Sequence, residues 1–89
     1  MNFEWDPRKA AANARKHGVS FDEAMTVFAD WESITIPDPD HSEDEERLLI
    51  VGLSSRGRVL VVSHADRDDN VRIISARRAD AHERRKHGK

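Results

Sequence analysis

The chain has 89 residues, no cysteine and a formal net charge of −2, so a disulfide framework, a thiolate nucleophile and a zinc ribbon are excluded and one small domain over residues 1–89 is expected. Its longest apolar runs, Leu48–Val51 and Val59–Val62, fall far short of the ~20 residues that span a bilayer. The opening MNFEWDPRK lacks the basic-then-apolar pattern of a secretory signal, and a cytoplasmic location is expected.

Phe3-Glu4-Trp5 alternates as a short half-buried strand does. Asp6-Pro7 reads as an N-cap with proline at the first helical position. That helix runs to Arg15-Lys16-His17, whose cationic character complements the dipole, and Gly18 suits the left-handed residue past its end. Ser20 with Glu23 predicts a capping box, with Val19 as a hydrophobic staple onto Ala24. Phe21, Ala24, Met25 and Phe28 follow at core-facing helical spacing. Ser33–Pro37 reads as a strand broken by Pro37-Asp38-Pro39-Asp40. His41–Glu46 is a polar turn, and the group Asp38, Asp40, His41 and Glu43 reads as solvated acids rather than a cation site. Arg47–Ser54 and Arg58–His64 are strands joined by the turn Ser54-Ser55-Arg56-Gly57. Asp66–Asn70 reads as a longer loop, Val71–Arg77 as the last strand, and Asp80 with Glu83 as the cap of a helix from Ala81 to about His87. The order β-α-α-β-β-β-β-α places the chain in the α+β class, with its last strands an antiparallel meander.

The charge is split along this order. Residues 1–46 carry four Lys/Arg against twelve Asp/Glu, and residues 47–89 carry eleven against five. The later basic residues are mostly arginines in or beside strands, and a sheet that presents guanidinium forks suits phosphate or carboxylate. The other reading is that the acidic and basic halves pair with each other.

No nucleophile elbow, glycine-rich phosphate loop or H-E-x-x-H occurs, and no cofactor is expected. What remains is a set of titratable and cationic groups: His41, Glu45, Glu46, Arg47, Arg67, Arg72, Arg77 and Glu83. Metal-free RNA cleavage needs little more: a base for the 2′-OH proton, cations for the phosphorane charge, and an acid for the leaving 5′-oxygen. Strict alternation divides the last strand into Val71, Ile73, Ser75, Arg77 and Arg72, Ile74, Ala76, with Arg77 at a cleft rim. Arg72 reads as an exposed rung paired to an acid, and Trp5 and Phe28 as core. The competing function class is a non-catalytic module whose basic sheet binds an acidic protein partner or RNA. Direct DNA binding fits poorly, because neither helix is basic along one face.

The block Phe3-Glu4-Trp5-Asp6-Pro7-x-Lys9-Ala10-x-x-Asn13-x-x-Lys16-His17-Gly18-Val19-Ser20-Phe21-x-Glu23-Ala24 resembles the opening of the BrnT family of bacterial type II toxins. The likeness continues through His41-Ser42-x-x-x-Glu46-Arg47, Gly52-x-Ser54-x-x-Gly57-Arg58 and Arg72-Ile73-Ile74-Ser75-Ala76-Arg77 to Glu83-Arg84. It implies a RelE-like fold, a small twisted antiparallel sheet with two N-terminal helices, and RNA cleavage that blocks translation. It also implies a BrnA-like antitoxin whose ribbon-helix-helix part contacts operator DNA, so that this chain meets DNA only through its partner. Carried onto this sequence, Arg77 and Arg67 are the phosphate ligands, Glu46 or His41 the general base, and Arg47 a further cation. Family members often have a tyrosine in the C-terminal helix after the Glu83-Arg84 equivalent. This chain has none, and His87 stands near that place.

Overall fold

The computed structural model describes residues 1–39 and 46–87. Strands β1 (Asn2–Glu4), β2 (Ile34–Pro37), β3 (Leu48–Leu53), β4 (Val59–Arg67) and β5 (Asn70–Arg78) form one sheet in the order β1-β5-β4-β3-β2. Helices α1 (Pro7–His17) and α2 (Phe21–Thr26), with a 3₁₀ turn at Val27–Ala29, pack on one face, and α3 (Ala81–Lys86) follows β5. Strands β2 to β5 are antiparallel, as the meander reading expects. The exception is β1, which pairs parallel to β5 with Phe3 opposite Val71. Among the described residues no helix is long and apolar enough to cross a membrane.

The helix boundaries follow the expected caps. The Asp6 carboxylate accepts the Arg8 N–H at 2.8 Å, and Gly18 takes φ 68° while its N–H donates to the Ala14 carbonyl. Ser20 Oγ accepts the Glu23 N–H at 3.0 Å. The expected box is only half made, however, because the Glu23 carboxylate turns inward instead. It accepts from Ser54 Oγ at 2.6 Å and from Arg58 Nε at 3.0 Å, and a second Arg58 N–H pairs with its other oxygen. Arg58 Nη2 also donates to the Gly18 carbonyl at 3.1 Å. One buried carboxylate thus ties the junction of the two helices to the β3–β4 turn, and the Arg58 hydrogen bond foremost holds its pKa below the usual carboxylate value.

The core joins Val19, Phe21, Ala24 and Val27 to Ile50, Leu60, Val62, Ile73 and Ala76. Each large side chain buried there contributes roughly 1.5–3 kcal/mol. Trp5 and Phe28 pack against this cluster as expected, Trp5 edge-on to Phe21 with ring centres 5.9 Å apart and Phe28 edge-on to Phe3 at 5.1 Å. Gly52 is needed where β3 crosses the 3₁₀ turn, since a Cβ there would come within 2.8 Å of Val27 Cγ1.

Two readings of the β4–β5 region are corrected. The segment Asp66–Asn70 is not a long loop: the ladder runs to the Arg67–Asn70 pair, and a tight turn at Asp68-Asp69 closes it. Asp68 has φ 55°, a conformation that aspartate tolerates through its short polar side chain. The strict alternation in β5 also fails. His64 faces Ile73 while Ser63 faces Ser75, so Ile74 is an extra residue and the strand changes phase there. Such a bulge moves every later side chain to the opposite face.

Asn13 fixes the bulged strand from the helix side. Its amide donates to the Ala76 carbonyl at 2.8 Å and to the Val19 carbonyl at 2.9 Å, and its Oδ1 accepts the Ala76 N–H at 3.1 Å. The buried side chain therefore acts as a surrogate strand beside β5, beyond the end of β1. Asn13→Ala should cost about 2–4 kcal/mol, because it orphans buried backbone groups rather than merely losing contacts. Urea denaturation followed by circular dichroism checks this.

Candidate active site

Arg77 reaches the open face of the sheet because of the bulge. Without it Arg77 would share a face with Val71 and Ile73, both buried on the helix side. With it Ala76 enters the core, and Ile74, Ser75 and Arg77 line a groove of about 310 Å³ together with Asp38, Arg47, Leu49 and Ser63. The floor is one rung of the ladder, Leu49 opposite Ser63 and Ser63 opposite Ser75. The two serines set hydroxyls beside the apolar Leu49 of that rung. At one end the Asp38 N–H donates to the Arg47 carbonyl at 2.8 Å, which extends the β2–β3 ladder by a pair and brings both side chains to the groove.

Arg77 is held by α3. Its Nη1 and Nη2 donate to Glu83 Oε1 and Oε2, each at 2.8 Å. The same carboxylate accepts the Asp80 N–H at 2.9 Å, while Asp80 accepts the Glu83 N–H, so the expected capping box is complete. The Arg77 fork first, and the Asp80 N–H after it, pull the Glu83 pKa from 4.5 down to about 2. At its other end α3 is tied to the end of the 3₁₀ turn by a 2.6 Å contact between His87 Nε2 and Asp30 Oδ2.

This pair has a defined acid signature. Between pH 4.5 and about 2 the unfolded chain binds a proton at Glu83 that the folded chain does not. Its stabilisation is thus complete above pH 4.5 and lost as the pH falls toward 2. Arg77 is 44% exposed, so solvent screening holds the contribution to about 1 kcal/mol or less. Glu83→Gln should flatten the stability profile in that window and leave the slope near neutral pH unchanged, as read from denaturation at stepped pH.

Of the residues singled out from the sequence, the structure brings Arg77 and Arg47 to one groove. Glu46 is exposed beside Arg47 and does not line it. Arg67 stands at the tip of the β4–β5 hairpin, six residues along β4 from the Val61 that faces Arg77, a distance of about 20 Å. His41 lies outside the described residues. Arg72 pairs with Glu4 at 3.4 Å, as an exposed rung should. Asp38, grouped with solvated acids in the sequence reading, is instead buried at 7% exposure. Local sequence does not show this, because its burial depends on pairing with Arg47; Ser63 and Ser75, polar residues inside apolar strands, are the sequence signal that points to the groove. His64 is buried edge-on to Phe28 at 4.8 Å, on the helix side, where desolvation pushes its pKa down.

A small five-stranded sheet with α1 and α2 on one face and a groove lined by two arginines on the other defines an α+β protein, and two guanidinium forks at one groove suit an anion. The chain belongs to the family described as ribonuclease toxin, BrnT, of type II toxin–antitoxin systems, whose model matches residues 5–83. The fold is also that of the 1.1 Å crystal structure of the Brucella abortus ribonuclease toxin, BrnT, with a TM-score of 0.70 at 22% identity over 90% of this chain and 97% of that one. None of the curated protein sequences matches the chain. Membership in this family makes the chain a ribonuclease toxin with an antitoxin partner.

Proposed function

We propose that the chain, acting as a single cytoplasmic domain, is a metal-independent endoribonuclease that inhibits translation by cleaving RNA. What carries the reading is the meeting of Arg77 and Arg47 at one groove beside a buried carboxylate, Asp38. A phosphodiester seated there has its developing negative charge met by two guanidinium groups, and a well-placed donor of this kind is worth roughly 3 kcal/mol in the transition state. The 2′-OH attacks the phosphorus after giving its proton to a carboxylate, the bond to the 5′-oxygen breaks, and that oxygen is protonated as it leaves. The products are a 2′,3′-cyclic phosphate and a 5′-hydroxyl. Glu46, exposed and next in sequence to Arg47, is the proposed base. Arg67, remote from the groove, is proposed to contact a phosphate of a flanking nucleotide. The partner is proposed to be a BrnA-like antitoxin whose ribbon-helix-helix part alone touches operator DNA.

The test is incubation of the purified, antitoxin-free protein with ribosome-free RNA in excess EDTA. Discrete fragments ending in 2′,3′-cyclic phosphate are expected, with Glu46→Gln reducing their rate. Intact RNA from folded protein, with RNA bound but uncut, would instead make the groove a binding site.

A further inference from the structure

Apart from Met1, the exposed large apolar side chains of the described residues gather on one edge of the sheet: Trp31 at 100% exposure, Ile34 at 41%, Ile36 at 46% and Leu53 at 44%. Register explains the grouping. Ile34 faces Val51 and Ile36 faces Leu49; Leu53 keeps the same parity on β3, so these residues share the face opposite the one on which Ile50 enters the core. Trp31 and Leu53 line one shallow depression at the end of that strip. An indole wholly in water beside an apolar strip is the usual mark of a binding surface, because tryptophan buries 150–250 Å² when covered.

The same edge offers backbone groups. Among the described residues nothing pairs with the outer side of β2. The Asp38–Arg47 bond makes that pair a hydrogen-bonded one, so by alternation Ile36 and Ile34 also bond to β3 while Thr35 and Pro37 point outward. Thr35 presents both an N–H and a C=O, and Pro37 only a C=O. The edge therefore accepts one short extended segment and stops it at Pro37, which guards against open-ended sheet growth.

Charge selects the occupant. From Asp30 to Pro39 the sequence has three acidic residues, Asp30, Glu32 and Asp38, and no Lys or Arg, and β2 lies inside this stretch. Along this edge the acidic side chains favour a basic peptide as occupant. We propose that the β2 edge and the Trp31–Leu53 depression form the docking surface for the cognate antitoxin, through an apolar segment flanked by Lys or Arg. The proposal rests on the toxin–antitoxin family of the chain and is independent of the chemistry assigned to the groove. The surface adjoins that groove, since Ile36 pairs with the Leu49 of its floor.

The test is titration calorimetry of the full chain with its full-length antitoxin, comparing the wild type with Trp31→Ala and Glu32→Lys. Trp31 is fully exposed, so the fold should be unaffected, which circular dichroism checks. Trp31→Ala should weaken binding by at least about 30-fold, the scale of an interfacial hot spot. Glu32→Lys should slow association and reduce its salt dependence. Arg15→Ala, on the exposed side of α1, should change neither. Unaltered affinity in both test variants would overturn the proposal. So would unaltered affinity together with loss of self-association by light scattering, which would make this a contact between copies of the chain. Loss of RNA cleavage in Trp31→Ala with antitoxin affinity intact would overturn it as well, making Trp31 a stacking platform for RNA bases.

Discussion

Glu23→Ala should destabilise the fold by about 3–5 kcal/mol, the cost of stripping one partner from a buried charge pair. The glutamate side chain is 4% exposed and that of Arg58 21%. Removing the carboxylate leaves the Ser54 hydroxyl without its acceptor and the half-buried Arg58 guanidinium with its bond to the Gly18 carbonyl alone of those described above. A domain of 89 residues has only about 4–13 kcal/mol to lose, so the melting temperature should fall by at least about 12 °C. Glu23→Gln should cost less, because an amide oxygen still accepts one bond. Removing both charges in Glu23→Gln with Arg58→Met should recover part of the loss, as expected where desolvation offsets the attraction. Urea midpoints for the four proteins decide it. A single-variant loss below about 1 kcal/mol would show that the network is a surface pair in energetic terms.

That glutamate also shows how far local sequence signals reach. Asp6-Pro7 and Gly18 were legible because each acts within one helical turn, where the backbone itself sets the requirement. Asp80 and Glu83 were legible for the same reason. Glu23 has the same spacing from Ser20, yet its side chain leaves the cap for Arg58, which lies 35 residues away. A local rule cannot rank a hydrogen bond to a backbone N–H against a buried, bidentate ion pair made by tertiary packing. Likewise β1 was legible as a strand but not as a parallel one. Its partner, Val71 opposite Phe3, is chosen by how α1 returns the chain.

The site was half legible. Arg77 and Arg47 stood out as cations at strand ends, and the family resemblance singled them out too. The expectation that β5 alternates without interruption was the error that mattered. A bulge is decided by the neighbour, here the Ser63–His64 step of β4, and in single-strand periodicity it is invisible. Reading Asp66–Asn70 as a loop leaves the place of Arg67 open, and only the resemblance makes it a phosphate ligand. The ladder holds the segment straight and carries Arg67 away. Asp38 was misread for a related reason: a run of Pro and Asp looks solvated until pairing with β3 buries it.

Arg77→Ala should lower RNA cleavage by about 10²–10³-fold, the effect of removing one preorganised donor to developing oxyanion charge, and should abolish growth inhibition. The side chain is 44% exposed and its bonds run to α3 rather than into the core, so the fold should survive. Arg77→Lys separates charge from geometry. A lysine keeps the positive charge but cannot present the planar fork, so it should restore only part of the rate. In the free protein that fork is already filled by Glu83, and a bound phosphate must compete with a carboxylate for the same two N–H groups. Glu83→Gln weakens the competitor, so it should tighten RNA binding; if Glu83 also orients the guanidinium, the turnover rate should fall at the same time. A fall in both KM and kcat in Glu83→Gln, alongside a folded but inactive Arg77→Ala, would assign Arg77 to the scissile phosphate and Glu83 to holding it in place. Full cleavage by a folded Arg77→Ala protein would remove Arg77 from the chemistry and leave Arg47 as the groove's principal cation.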